Sequence, residues 1–299
     1  MEEGLTGGSA VERSQDTGDS KVVFGGTALL IVDPQMDFHE GGSLDVPGAT
    51  ADAERIAQLV ADHSEKIDEI FVTLDSHHCL DIAHPHFWTD KSGSHPTPFT
   101  KITAKDVAVG RWTPVQQEHR DHCIEYTKKL EAGRKFTLCV WPEHCLIGTT
   151  GHAVHPQINE AIQDWAVAQK KTVTYVMKGQ YTLSEQYSCF KAEVSVVGDD
   201  SNERGKALLD QMCQLDSILL CGQASSHCVN YSARDLAAAW KHSAASSDEN
   251  GVRKRMQSLV LLRDGTSPVP GFEKEAANFF ADMVGMGVTV RTCRDAFPL

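Results

Sequence analysis

Long apolar runs are missing from this 299-residue chain. Nothing in it approaches the ~20 apolar residues that a membrane span needs, so no membrane role is expected. Positive charge is also scarce: 28 Lys and Arg stand against 41 Asp and Glu, a formal net charge of −13. Binding to a phosphate backbone needs clustered Lys and Arg, so a nucleic-acid partner is not expected either. The nine cysteines are odd in number and form no Cys-x-x-Cys pair. That pattern fits reduced thiols in a cytoplasmic setting better than a disulfide framework. The first twenty residues, MEEGLTGGSAVERSQDTGDS, hold no apolar stretch of the secretory-signal kind. They are polar and rich in Gly and Ser, and read as a disordered tail, residues 1–20.

What is present reads as one globular domain, residues 21–299. Hydrophobic residues make up 41% and charged residues 23%, ordinary values for a chain that builds its own core. Short apolar runs alternate with helical periodicity. TALLIVD, IDEIFVTLD, KTVTYVMK, DSILLC, QSLVLLRD and GVTVRT read as strands. Between them, helical spacing recurs; Ala53, Ile56, Leu59 and Val60 share one face, and so do Val229, Ala233, Leu236, Ala237 and Trp240. Further helices are expected over HAVHPQINEAIQDWAVAQ, ERGKALLDQMC and GFEKEAANFFADMVG. Alternation of this kind implies a three-layer α/β/α sandwich around a mostly parallel, Rossmann-like sheet of about six strands. The stretch at about 91–137 breaks the rhythm and reads as an insertion with at most one helix, near Val115–Leu130.

In such folds ligands gather at the carboxyl ends of the strands, and reactive residues stand there. Asp33 ends the first strand, Asp75 the second and Lys178 the third. Cys228 follows the CGQASSH turn, where Ser225 or Ser226 can cap a helix running from Ser226 to about Ser243. A thiol in a helix's first turn meets unpaired N–H groups and the positive end of the dipole, which favour thiolate. Packing would also explain a cysteine there, an edge position would explain the lysine, and a turn cap would explain Asp33. The segment LDSHHCLDIAHPHFW and the later WPEHC bring Asp75, His77, Asp81, His84, His86 and His144. One Asp with two or three His suits Zn²⁺, Fe²⁺ or Mn²⁺.

Taken in order, IVDPQMDF, LDSHH, WPEHC, KGQYTLSEQYSCF and CGQASSHCVNYSARD resemble the motifs of the isochorismatase-like superfamily, and most of all its nicotinamidase-like cysteine hydrolases. The resemblance runs from about Ala28 to Thr292, apart from the insertion. It implies a triad of Asp33, Lys178 and Cys228, and a cis peptide at Gln223–Ala224. An oxyanion hole would form from the N–H groups of Ala224 and Cys228. It also implies a divalent metal, zinc first and iron or manganese next, on Asp75, His77 and His144, with the fourth ligand left open between Asp81, His84, His86 and water. Phe38, Trp141 and Tyr181 would line the substrate pocket. The implied activity is hydrolysis of nicotinamide to nicotinate and ammonia through a Cys thioester, with a place in NAD salvage and pyridine nucleotide biosynthesis, and assembly as a homo-oligomer. The alternatives are an enzyme for another small amide, carbamoyl or ureido compound, and a catalytically retired family member acting as a binding scaffold.

Overall fold

The computed structural model describes residues 25–133, 136–243 and 249–297, so the expected tail at 1–20 lies outside the described residues. In chain order the strands are β1 (Thr27–Val32), β2 (Glu69–Asp75), β3 (Trp88–Thr89), β4 (Lys101–Ile102), β5 (Thr113–Pro114), β6 (Leu138–Cys139), β7 (Thr174–Lys178), β8 (Ser217–Gly222), β9 (Leu259–Leu262) and β10 (Thr289–Arg291). The helices are α1 (Ala49–Asp62), α2 (Ala104–Ala108), α3 (Arg120–Ala132), α4 (Pro156–Gln169), α5 (Ser201–Met212), α6 (Cys228–Ser243), α7 (Glu249–Gln257) and α8 (Glu273–Gly285). No helix among the described residues is long and apolar enough to cross a membrane.

Six strands form one sheet in the order β10-β9-β8-β1-β2-β7, and every pairing in it is parallel. Alternation of side chains sorts each strand between two cores. Leu29 and Ile31 join Ile70, Val72, Leu219 and Cys221 beneath α1 and α4. Ala28, Leu30 and Val32 join Phe71, Ile218 and Leu220 on the other face, against α5, α6 and α8. Both faces are therefore covered, which is why the central strands read as near-continuous apolar runs. β7 is an edge strand and differs from the rest: Thr174, Tyr175 and Met177 are exposed, and burial is concentrated on its last residue, Lys178.

The insertion holds more structure than expected. It contains two helices, α2 and α3, and strands from two small antiparallel ladders, β3 with β5 and β4 with β6. The Thr103 hydroxyl and the Asp106 carboxylate cap α2 reciprocally, a local signal in Thr-Ala-Lys-Asp. Phe87, Trp88, Ile102, Val107, Cys123, Tyr126 and Leu130 pack with Ile82 and Val140 into a third core. The packing that defines this unit thus starts before residue 91 and ends after residue 137. α7 is a further helix that the periodicity did not reveal, because only Met256 of its residues is buried.

Candidate active site

The sheet order decides what meets at its carboxyl edge. β1 lies between β8 and β2, with Val32 in register with Gly222, and β2 pairs with β7 so that Asp75 stands beside Lys178. Asp33, one residue past β1, turns back at φ 44°, a left-handed conformation that Asp tolerates better than most residues. The chain leaves β8 through Gly222 and the cis peptide Gln223–Ala224 and enters α6 at Cys228. Four strands thus deliver Asp33, Asp75, Lys178 and Cys228 to one place.

Lys178 is the hub. Its Nζ lies 3.0 Å from Asp33 Oδ2 and 3.0 Å from Asp75 Oδ1. It also donates to the Gln186 carbonyl at 3.1 Å and to Cys228 Sγ at 3.5 Å. The lysine is 1% exposed, and burial alone would strip its proton. Asp33, Asp75 and Cys228 reverse that and hold the ammonium well above the usual lysine range. Burial raises the Asp33 carboxyl, with Lys178 working against it and Asp75 adding to it. Burial also pushes the Cys228 thiol well up, against the pull of Lys178. The pull of the helix terminus toward thiolate is therefore overcome. Cys228 rests as a thiol beside a carboxylate of raised basicity, because full burial outweighs the helix terminus and the nearby cation.

Two supports were missed in the sequence. Thr73 Oγ1 accepts the Asp33 N–H at 2.9 Å, and its hydroxyl donates to Asp33 Oδ1. That leaves Oδ2 for the lysine. The signal was available: Thr73 and Asp75 alternate onto one face of β2. Gln35 spends its whole amide on fixing the chain around Asp75. Its Oε1 accepts the Asp75 N–H at 2.7 Å, and its Nε2 donates to the carbonyls of Asp75 and His152. Asp37 accepts N–H groups from Cys145 and Ser43.

Next to the triad, His77, His84 and His144 each present a ring nitrogen within 4.8 Å of the others. Asp75 Oδ2 lies 3.2 Å from His77 Nε2 and 3.4 Å from His144 Nε2. The outer nitrogens are tied back: His77 Nδ1 to Asp81 at 3.1 Å and His144 Nδ1 to the Pro142 carbonyl at 2.8 Å. That is how metal-binding imidazoles are oriented. His77 Nε2 is buried without a hydrogen bond of good geometry, and the donor set fits a divalent metal. Of the open fourth positions, His84 joins the cluster. Asp81 turns to His77 and the Ala83 N–H, and His86 is exposed and pairs with Glu143. Burial, then His77 and His144, push the His84 imidazole down, so it is a neutral donor.

A cavity opens over the thiol. Phe38, Trp141, Tyr187, His227 and Val269 wall it, and Asp75, His144, Glu185, Ala224 and Cys228 face it. Trp141 Nε1 donates to the Tyr187 hydroxyl at 3.1 Å, which fixes both rings. His227 is driven down to about 3 by burial and by Lys101, so it is neutral. Tyr181 is not in this wall, a correction to the expectation. It lines a separate cavity with His122, Tyr126 and Lys129. Gly179, at φ 73°, passes so close to Asp75 that a Cβ there would lie 2.8 Å from Oδ1. The chain swings out from that point through Tyr181, and Tyr187 is the tyrosine that returns to the pocket. The hydroxyl of Ser226, one of the two serines read as able to cap α6, accepts the Val269 N–H at 3.1 Å. The Ala224 carbonyl accepts from His227 and Val229. Among the described residues, no bond of the turn uses the N–H of Ala224 or Cys228.

No protein-family model matches the chain, but individual proteins do. Over 242 residues it is 29% identical to the nicotinamidase/pyrazinamidase of Mycobacterium tuberculosis, covering 80% of this chain and 87% of that protein. The yeast nicotinamidase solved with the inhibitor nicotinaldehyde superposes with a TM-score of 0.58 at 22% identity, over 89% of this chain and 99% of that one. The pyrazinamidase of Pyrococcus horikoshii, solved in complex with zinc, superposes with a TM-score of 0.51 at 18% identity, over 89% and 98%. The chain is thus similar to nicotinamidases in sequence over most of its length, and it shares the fold of nicotinamidases of known structure.

Proposed function

We propose that the protein is a cysteine amidohydrolase that converts nicotinamide and water to nicotinate and ammonia. The observation that carries this reading is the contact of one buried ammonium, Lys178, with Asp33, Asp75 and Cys228 Sγ together. Asp33 takes the thiol proton as Sγ bonds to the carboxamide carbon. The N–H groups of Ala224 and Cys228 receive the developing oxyanion. Lys178 keeps its charge throughout and offsets the negative charge that passes between sulfur and carboxylate. When the C–N bond breaks, Asp33 returns its proton to the nitrogen and ammonia leaves a thioester on Cys228. A water molecule then gives a proton to Asp33 and its oxygen to the acyl carbon. The C–S bond breaks and the sulfur regains the proton. Phe38 and Trp141 would hold the aromatic ring between them.

Asp75, His77, His84 and His144 would hold a divalent metal, zinc by preference and iron or manganese next. When bound, it supplies a Lewis acid that anchors the ring nitrogen and so orients the carboxamide. The product places the enzyme in NAD salvage, and the reading fits a small-molecule amide as its partner and a homo-oligomer as its assembly.

The test is ammonia release from nicotinamide by the purified, metal-loaded protein. Turnover is expected, and Cys228→Ala should lower kcat by about 10³-fold or more with metal content unchanged on elemental analysis. Chelation should depress activity chiefly through KM. Full turnover by Cys228→Ala, or none by the parent protein, would overturn the reading.

A further inference from the structure

Glu185 has no part in the mechanism above, yet it faces the same cavity as Cys228. It is 3% exposed. Its Oε1 accepts the Gln186 N–H at 3.0 Å, while its Oε2 is buried with no hydrogen-bond partner. The insertion fixes the residue in place: the Tyr126 hydroxyl, on α3, accepts the Glu185 N–H at 2.9 Å. On the other side, the Glu185 carbonyl accepts the Glu193 N–H at 2.9 Å. The residue is therefore held at both ends, and one oxygen is left for whatever enters the cavity. Buried polar atoms are almost always paired. One that lacks a partner in the protein and borders a ligand cavity is completed by the ligand.

We propose that Glu185 is a specificity-determining residue whose free Oε2 receives a polar substituent on the substrate ring, so that the preferred substrates are aryl carboxamides bearing a hydroxyl or amino group. This deepens the amidase reading and rests on it. As a carboxylate, Oε2 accepts from either group. As a carboxylic acid, it offers its own O–H, which a hydroxyl oxygen can accept. A hydroxyl therefore fits both forms of the side chain, and a methyl group of similar size fits neither. The bare ring leaves Oε2 unpaired. Sites built to bond a substrate O–H or N–H discriminate strongly against analogues that lack it. Asp33, Lys178 and Cys228 are carried by the ends of β1 and β7 and the start of α6. Glu185 is braced by the insertion, so this part of the chain tunes the ring that is accepted and leaves the bond-breaking chemistry alone.

The test compares kcat/KM for nicotinamide and for its ring-hydroxylated, ring-aminated and ring-methylated analogues at each open position, with ammonia release as the readout. At one position the hydroxyl or amino analogue should exceed its methyl counterpart by about tenfold or more. Glu185→Leu should remove that preference, and Glu185→Gln, which keeps the shape and an acceptor, should retain part of it. Calorimetric binding of the same panel to Cys228→Ala protein reads the preference independently of turnover. A protein that releases no ammonia but still binds hydroxylated rings more tightly than methylated ones would sink the amidase reading and support Glu185's role. Equal binding and turnover across the panel, or a preference that survives in Glu185→Leu, would overturn the proposal.

Discussion

Thr73 sets the terms on which Asp33 can act. Its hydroxyl holds one carboxylate oxygen and its oxygen holds the Asp33 N–H. Removing the first bond raises the Asp33 pKa further, since that bond lowers it. In Thr73→Val, the acid limb of the kcat/KM profile should therefore move to higher pH, because the basic form of Asp33 appears later. A hydrogen bond to a charged group is worth about 1.5–3 kcal/mol, so kcat should fall by about 10–100-fold. An unshifted profile would show that Thr73 merely packs. At this scale the sequence was most informative about residues that must lie at strand ends. Asp33, Asp75, Lys178 and Cys228 each close an apolar run or open a helix, and parallel topology brings such ends together. Thr73, Gln35 and Glu185 act by pointing at something, and a direction in space has no signature in the order of letters. Cys228 shows a different limit. Its neighbours suggested thiolate, but depth of burial, which only the folded chain reveals, decided for thiol.

Strands and helices obey the same distinction. The four inner strands of the sheet and helices α1, α4, α5, α6 and α8 were readable because each buries a full stripe against one of two large cores. α7 and the short elements of the insertion were not, because a helix with one buried side chain or a ladder of two residues has no periodicity to read. One glycine carries unusual weight at this level. Gly222, at φ 109°, ends β8 so close to β1 that a Cβ would lie 2.0 Å from the Val32 carbonyl oxygen. That oxygen also accepts the Gln223 N–H at 2.7 Å. Gly222→Ala should force the two strands apart just where Asp33 and Cys228 leave them. A loss on the order of 3 kcal/mol is expected from backbone strain and a broken pairing, read by urea unfolding. Activity per folded molecule should drop with it. A variant with parental stability would show that the strand ends have room to adjust.

For the molecule as a whole, the carboxyl edge of the sheet is where buried charge gathers, with Lys178 between Asp33 and Asp75. Lys178→Met removes the cation between two buried carboxylates. Breaking a buried pair from one side typically costs about 3–5 kcal/mol. Without Lys178, Asp33, already raised by burial, holds its proton more tightly in the folded protein than in the unfolded chain. The variant should therefore lose further stability as pH rises through the range where Asp33 must ionise. Denaturant melts of Lys178→Met and Cys228→Ala, each at several pH values, would separate this from a general effect of disturbing the site, since the thiol's loss should cost far less and vary little with pH. This reasoning bears on the sheet's outer margin. β7 offers the interior little that is apolar: Thr174, Tyr175 and Met177 are exposed, Val176 is partly buried against the core, and the terminal lysine alone is fully sunk. The ammonium thus serves as a clasp that fastens a loosely seated border strand to the rest of the sheet, and any change that quiets the chemistry by neutralising it also unbuttons that border.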